Sequence, residues 1–117
     1  MTQLDPAIEK LLGDATQALR AALGADLVRV VLFGSRARGT AAPEADVDLL
    51  VVLRERTPQL EDLVSVALYG VMWRHDFTCL LSPVILDESE YRLMLSRGFS
   101  FIRNVEQEGV VLWTRAA

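Results

Sequence analysis

Two aspartates one residue apart, Asp46 and Asp48, open the apolar run DVDLLVVL, residues 46 to 53. On a strand, residues two apart project to the same side, so both carboxylates would share one face while Val47 points to the other. Two unit charges about 4 Å apart repel by ~1 kcal/mol in water and ~4 kcal/mol at an effective dielectric of 20. Such a pair calls for a proton or a cation. Hard divalent ions with oxygen ligands answer it, and magnesium commonly takes one or two carboxylates together with substrate phosphates. The plain alternative, usual for an isolated D-x-D, is a solvated strand end.

A second feature lies upstream. Gly34-Ser35 follows the run LVRVVLF, residues 27 to 33. A glycine after a strand lets the backbone come close to a ligand, and the turn can aim successive N–H groups at phosphate oxygens. Alone it is an ordinary turn, and the chain has no G-x-x-x-x-G-K-[ST] phosphate loop. Asp76, after Arg74-His75, is a third acid at the expected head of a strand, and only its company gives it weight. Arg36 and Arg38 follow Ser35 closely; one of the two is expected to reach phosphate, Arg38 being favoured, and the other to serve the surface. His75 lacks a second His or Cys at ligand spacing. Cys79 has no evident base beside it and reads as core, as do Trp73, Trp113, Phe99 and Phe101 (or as interface).

The elements that would position these residues follow from pattern. Asp5 caps and Pro6 opens a helix whose stripe is Ile8, Leu11, Leu12, Ala15, Leu19 and Ala22, ending at Gly24. Residues 27 to 33 and 46 to 53 read as strands, with a loop over 40 to 45. Thr57 and Pro58 open a helix carrying Leu60, Leu63, Val64, Ala67, Leu68 and Val71 on a wide apolar face, which implies contact on more than one side. Residues 76 to 81 read as a third strand, resuming over 84 to 86 after a bulge at Pro83. Asp87 with Glu90 makes a capping box for a helix through Val105, bent or split at Gly98. Gly109 ends it, and residues 110 to 113 form a last strand. Alternation of this kind predicts an α/β (α+β) domain with helices packed on a small sheet; the pattern does not give strand direction.

The chain of 117 residues fits one domain, 1–117. Its 51% hydrophobic content and mean hydropathy of +0.26 exceed what a core this small needs, so some apolar surface is expected to cover an interface with another chain or a second copy. A net charge of −4 excludes a broad footprint for duplex nucleic acid. Lys10 is the only lysine, so phosphate would be met by guanidinium groups. The single cysteine permits no intrachain disulfide, and neither a secretory leader nor a membrane-spanning run is evident; the expected setting is cytoplasmic.

Taken together, G-S-x(10)-D-x-D across strand, loop and strand resembles the polymerase-β-type nucleotidyltransferase superfamily, specifically its minimal nucleotidyltransferase branch. GSRARG, ADVDLLVVL and VEQEGVVLW carry the resemblance, which extends from about Val28 to Trp113. Ala45 departs from it, where many relatives have serine. The resemblance implies a mixed sheet of about four strands. It implies phosphate binding by Gly34 and Ser35, which nearby Arg38 would assist, and two Mg2+ ions held by Asp46, Asp48 and Asp76, the three catalytic acids. Asp76 would also help deprotonate the acceptor. The reaction implied moves a nucleoside monophosphate, AMP from ATP foremost, with pyrophosphate leaving.

Three acceptor readings stand. One is a partner protein, a HEPN-type toxin for which this chain would be the antitoxin. Another is a small molecule such as an antibiotic. The third is no acceptor at all, in an idle antitoxin acting by contact. The retained acids speak against the third, and a chain this short leaves little to build an acceptor pocket, which favours the first.

Overall fold

A computed structural model describes residues 4–116. Helix α1, Pro6–Leu23, starts as its sequence requires: the Asp5 carboxylate accepts from the Ala7 N–H at 2.8 Å, and Pro6 occupies a position where a missing N–H is harmless. A 3-10 turn, Gly24–Asp26, leads into β1, Leu27–Phe33. The four-residue helix α2, Ser35–Arg38, and a loop then precede β2, Val47–Leu53. Helix α3 spans Pro58–Arg74, β3 Leu81–Asp87, α4 Glu88–Arg97, α5 Ser100–Glu108 and β4 Val110–Thr114.

The sheet has the order β3-β2-β1-β4. β1 runs antiparallel to both β2 and β4, whereas β2 and β3 are parallel. A parallel pair needs a long crossover, and α3 supplies it. Alternation along β1 and β2 then divides the core in two. Val30, Leu32, Val47, Leu49 and Val51 face α1 and α3; Val31, Leu50 and Val52 face Ile102 and Val105 of α5. Asp48 falls in the second set by its parity on β2.

One expected strand is misplaced. Residues 76 to 80 are not extended: Asp76 (φ 55°) and Phe77 (φ 53°) are left-handed, and the Phe77 N–H returns to the Met72 carbonyl at 2.9 Å, closing the end of α3. A left-handed helix end is ordinarily marked by glycine or asparagine, and neither stands here. Phe77 is held by edge-to-face packing on Tyr69 and Trp73, with centroids 5.5 and 6.1 Å away. The strand begins at Leu81 and runs through Pro83 without interruption of its pairing with β2. A bulge is unnecessary because β3 lies at the sheet edge, where proline is tolerated.

Gly98 (φ 66°) separates α4 from α5, and the capping box forms, with the Asp87 carboxylate accepting from the Glu90 N–H at 2.9 Å. Helix α3 buries Val64, Leu68 and Val71 but leaves Val66, Tyr69 and Trp73 largely exposed. Trp113 on edge strand β4 is half-buried, with the guanidinium groups of Arg20 and Arg115 at 5.2 and 5.3 Å from its ring. No helix among the described residues is long and apolar enough to cross a membrane.

Candidate active site

Phe33, the last residue of β1, pairs with Asp48 of β2. Gly34 therefore leaves the sheet beside the Asp48 carboxylate, with φ at 77°. A Cβ at Gly34 would meet Asp48 Oδ2 inside contact distance and lie 3.3 Å from its Cγ. Both the backbone angle and the crowding thus require glycine. The Gly34 carbonyl accepts from the N–H groups of Ala37 (3.1 Å) and Arg38 (3.2 Å), which folds Ser35 to Arg38 into one tight turn of helix closed by Gly39.

Asp48 is half-buried and Asp46, just before the strand, is exposed. Desolvation raises the Asp48 pKa above its ordinary 3.8, the Asp46 charge raises it further, and Arg38 opposes both. Arg38 also meets Glu108 of α5 at 3.4 Å. Beside them a cavity of about 210 Å³ is lined by Phe33, Gly34, Arg38, Phe101, Val105 and Glu108, among others. A larger open hollow of about 570 Å³ runs along α1 past Leu12, Thr16, Arg20 and Leu112, and includes none of the motif residues.

Gly34, Asp46, Asp48 and Arg38 thus come together at one end of the sheet, with Ser35 next in the chain. Asp76 does not join them. It lies exposed in the turn after α3, and the residue beside Asp48 on β3 is Ser82. Among the described residues no three metal-binding side chains form one group. Only at the head of a strand would Asp76 be the expected third carboxylate, and the left-handed turn puts it five residues before β3 begins. His75 is engaged elsewhere: its Nε2 lies 2.7 Å from Asp14 Oδ2, and this bond is the main cause of the lowered Asp14 pKa.

Arg36 does not share the position of Arg38. It turns toward the loop before β2, where its Nη2 donates to the carbonyls of Pro43 (3.0 Å) and Ala45 (2.9 Å). Neither this contact nor the approach of Glu108 has a local sequence signal, since the partners lie 7 to 70 residues away.

A divalent cation fits the two acids. Asp48 is partly desolvated and faces the like charge of Asp46, and its Oδ2 fills the space a side chain at Gly34 would need; a cation would relieve the repulsion.

The chain has known counterparts. The family model described as a nucleotidyltransferase domain matches residues 15–111. A protein of Methanocaldococcus jannaschii, provisionally named a protein adenylyltransferase, is 32% identical over 107 residues, covering 90% of this chain and 97% of its own. Another of the same organism and provisional name is 31% identical over 93 residues, 74% of this chain; there the match spans only 59% of the relative's length. In fold, the chain is similar to one in the complex of tri-AMPylated Shewanella oneidensis HEPN toxin with MNT antitoxin. That likeness has a TM-score of 0.53 at 15% identity, over 92% of this chain and 72% of the other.

Proposed function

The chain belongs to the nucleotidyltransferase domain family, and on that premise we propose that it transfers AMP from ATP to a hydroxyl group of a partner protein, as the antitoxin of a HEPN-type toxin. The observation that carries the reading is the Asp48 carboxylate packed against the Gly34 turn, with the Asp46 and Arg38 charges close enough to shift its pKa in opposite directions. Asp46 and Asp48 would hold Mg2+; two such ions, when bound, stabilise the charge on attacking and leaving oxygens. We assign Asp76 no part in that set. Gly34, having no side chain, would let the backbone beside Asp48 approach the phosphates, Ser35 offers a hydroxyl and backbone amide, and Arg38 brings a guanidinium to the same charge. In the reaction the acceptor oxygen bonds to the α-phosphorus and the bond to the outer two phosphates breaks. Pyrophosphate leaves, and the hydroxyl proton passes to water.

A protein acceptor is favoured by the name borne by the Methanocaldococcus relatives and by the AMP-modified toxin in the Shewanella complex. The exposed apolar residues Val66, Tyr69, Trp73, Phe77 and Leu80 also support it, being apolar surface that this chain leaves uncovered. The absence of a three-carboxylate group among the described residues favours a second reading, an antitoxin that acts by contact alone. Incubation of the purified pair with Mg2+ and ATP labelled in the α-phosphate separates them. The expected result is AMP on the partner with the native protein and none with Asp48→Asn. Neutralisation of the partner without label would establish the contact reading, and label in a small molecule alone would point to an antibiotic-type acceptor.

A further inference from the structure

The loop from Thr40 to Asp46 carries the first acid, yet it belongs to no helix or strand. Its internal backbone bond runs from the Ala45 N–H to the Ala42 carbonyl at 3.0 Å. Arg36 adds what the backbone lacks. One nitrogen, Nη2, bridges the carbonyls of Pro43 and Ala45, and the same atom lies 3.6 Å from Cys79 Sγ in the turn before β3. The side chain is half-buried, and its Nε has no partner among the described residues. An unsatisfied buried donor is costly, so the guanidinium is aimed at the loop carbonyls at the expense of its own Nε. The Ala45 carbonyl it holds belongs to the peptide that leads into Asp46.

We infer that Arg36 is a positioning residue: by clamping the loop at Pro43 and Ala45 it fixes Asp46 beside Asp48, and so sets the affinity of the pair for a divalent cation. It does not contact the phosphates, a task that falls to Arg38 on the opposite side of the short helix. The inference rests on the proposed metal-binding role of Asp46 and Asp48, but the clamp can be observed without any metal. Lysine is an incomplete substitute, because its ammonium can donate to the same two carbonyls but lacks the planar guanidinium that fixes the direction of Nη2.

Two measurements on the native protein, Arg36→Met, Arg36→Lys and Asp46→Asn test it. The first is hydrogen exchange of residues 40–46 in metal-free protein, with thermal unfolding as the check on folding. The second is Mn2+ binding, followed by water-proton relaxation with a non-hydrolysable ATP analogue present. Arg36→Met should speed exchange in the loop while β1 and β2 stay protected. It should weaken Mn2+ binding by about 10- to 100-fold, the range found when groups supporting metal ligands are removed. Arg36→Lys should recover part of both effects, and Asp46→Asn should lose Mn2+ with the loop unchanged. Native exchange in Arg36→Met overturns the clamp. A loosened loop that binds Mn2+ as tightly as the native chain overturns the positioning role. If native protein takes up no Mn2+, the metal reading fails and takes the affinity claim with it, while the exchange result still decides the clamp.

Discussion

The two faces of the sheet are built to different standards. Among the described residues, the face under α1 and α3 gathers eighteen buried apolar side chains, while the face under α4 and α5 gathers six, and α4 buries none. The acids, Arg38 and the small cavity belong to the thin face. Dense packing on one side holds the strands in register, which leaves the other side free to carry charge and open space at modest cost. Rigidity and function thus divide between two sides of the same four strands.

The largest effects expected come from emptying each face in turn. Leu19→Ala, on α1, should cost ~2–5 kcal/mol, a large part of a typical domain's ~5–15, because its dense surroundings cannot close the gap. Ile102→Ala, on α5, should fall toward the lower end of the same ~2–5 kcal/mol range, because α5 has fewer neighbours to hold it away from the sheet. Denaturant unfolding gives both values, and equal losses would dissolve the contrast. The rise in melting temperature on adding Mg2+ and ATP should shrink only for Ile102→Ala.

A smaller effect should distinguish two left-handed glycines. Gly98 ends α4 in open space, with only Arg103 Cδ, at 3.9 Å, near an added Cβ, whereas Gly34 faces Asp48. Alanine at either should cost ~1–3 kcal/mol of backbone strain. Only Gly34→Ala should also abolish the stabilisation by nucleotide, measured by thermal shift over a range of ATP concentrations. Retained nucleotide binding in Gly34→Ala would remove the turn from the site.

The smallest expected effect is a pH dependence on the thin face. Tyr91 of α4 bonds to Glu106 of α5, and burial first, then that bond, push its pKa up to about 12 from an ordinary 10.0. Between those values the unfolded chain ionises this phenol and the folded one does not, so stability present below pH 10 is lost as the pH rises toward 12. Tyr91→Phe should flatten that decline in denaturation curves taken from pH 9 upward. An unchanged slope would show that Tyr91 is not what couples α4 to α5 there.

What could be read from sequence divides along physical lines. Asp5-Pro6, the Asp87–Glu90 box and Gly98 are local devices, acting within a few residues, and each was legible. Strand periodicity sets the face of Asp48, but Asp46 lies just before β2, where the loop and not the pleat places it. The turn at Asp76 and Phe77 was not legible, since its left-handed residues are held by aromatic packing in place of glycine. Nor was Ser82 beside Asp48, or Arg36 on the Pro43 and Ala45 carbonyls, because register and long side-chain reach exist only once the chain has folded.

The two tryptophans sit in unlike surroundings, and this gives the molecule two optical reporters. Trp73 is 66% exposed on α3, while Trp113 is half-buried between two guanidinium groups on edge strand β4. Emission from Trp73 should lie to the red and be readily quenched by acrylamide, shifting blue when another protein covers α3. Emission from Trp113 should resist the quencher until β4 leaves the sheet. A Trp73→Phe protein would therefore report unfolding alone, and a Trp113→Phe protein docking alone.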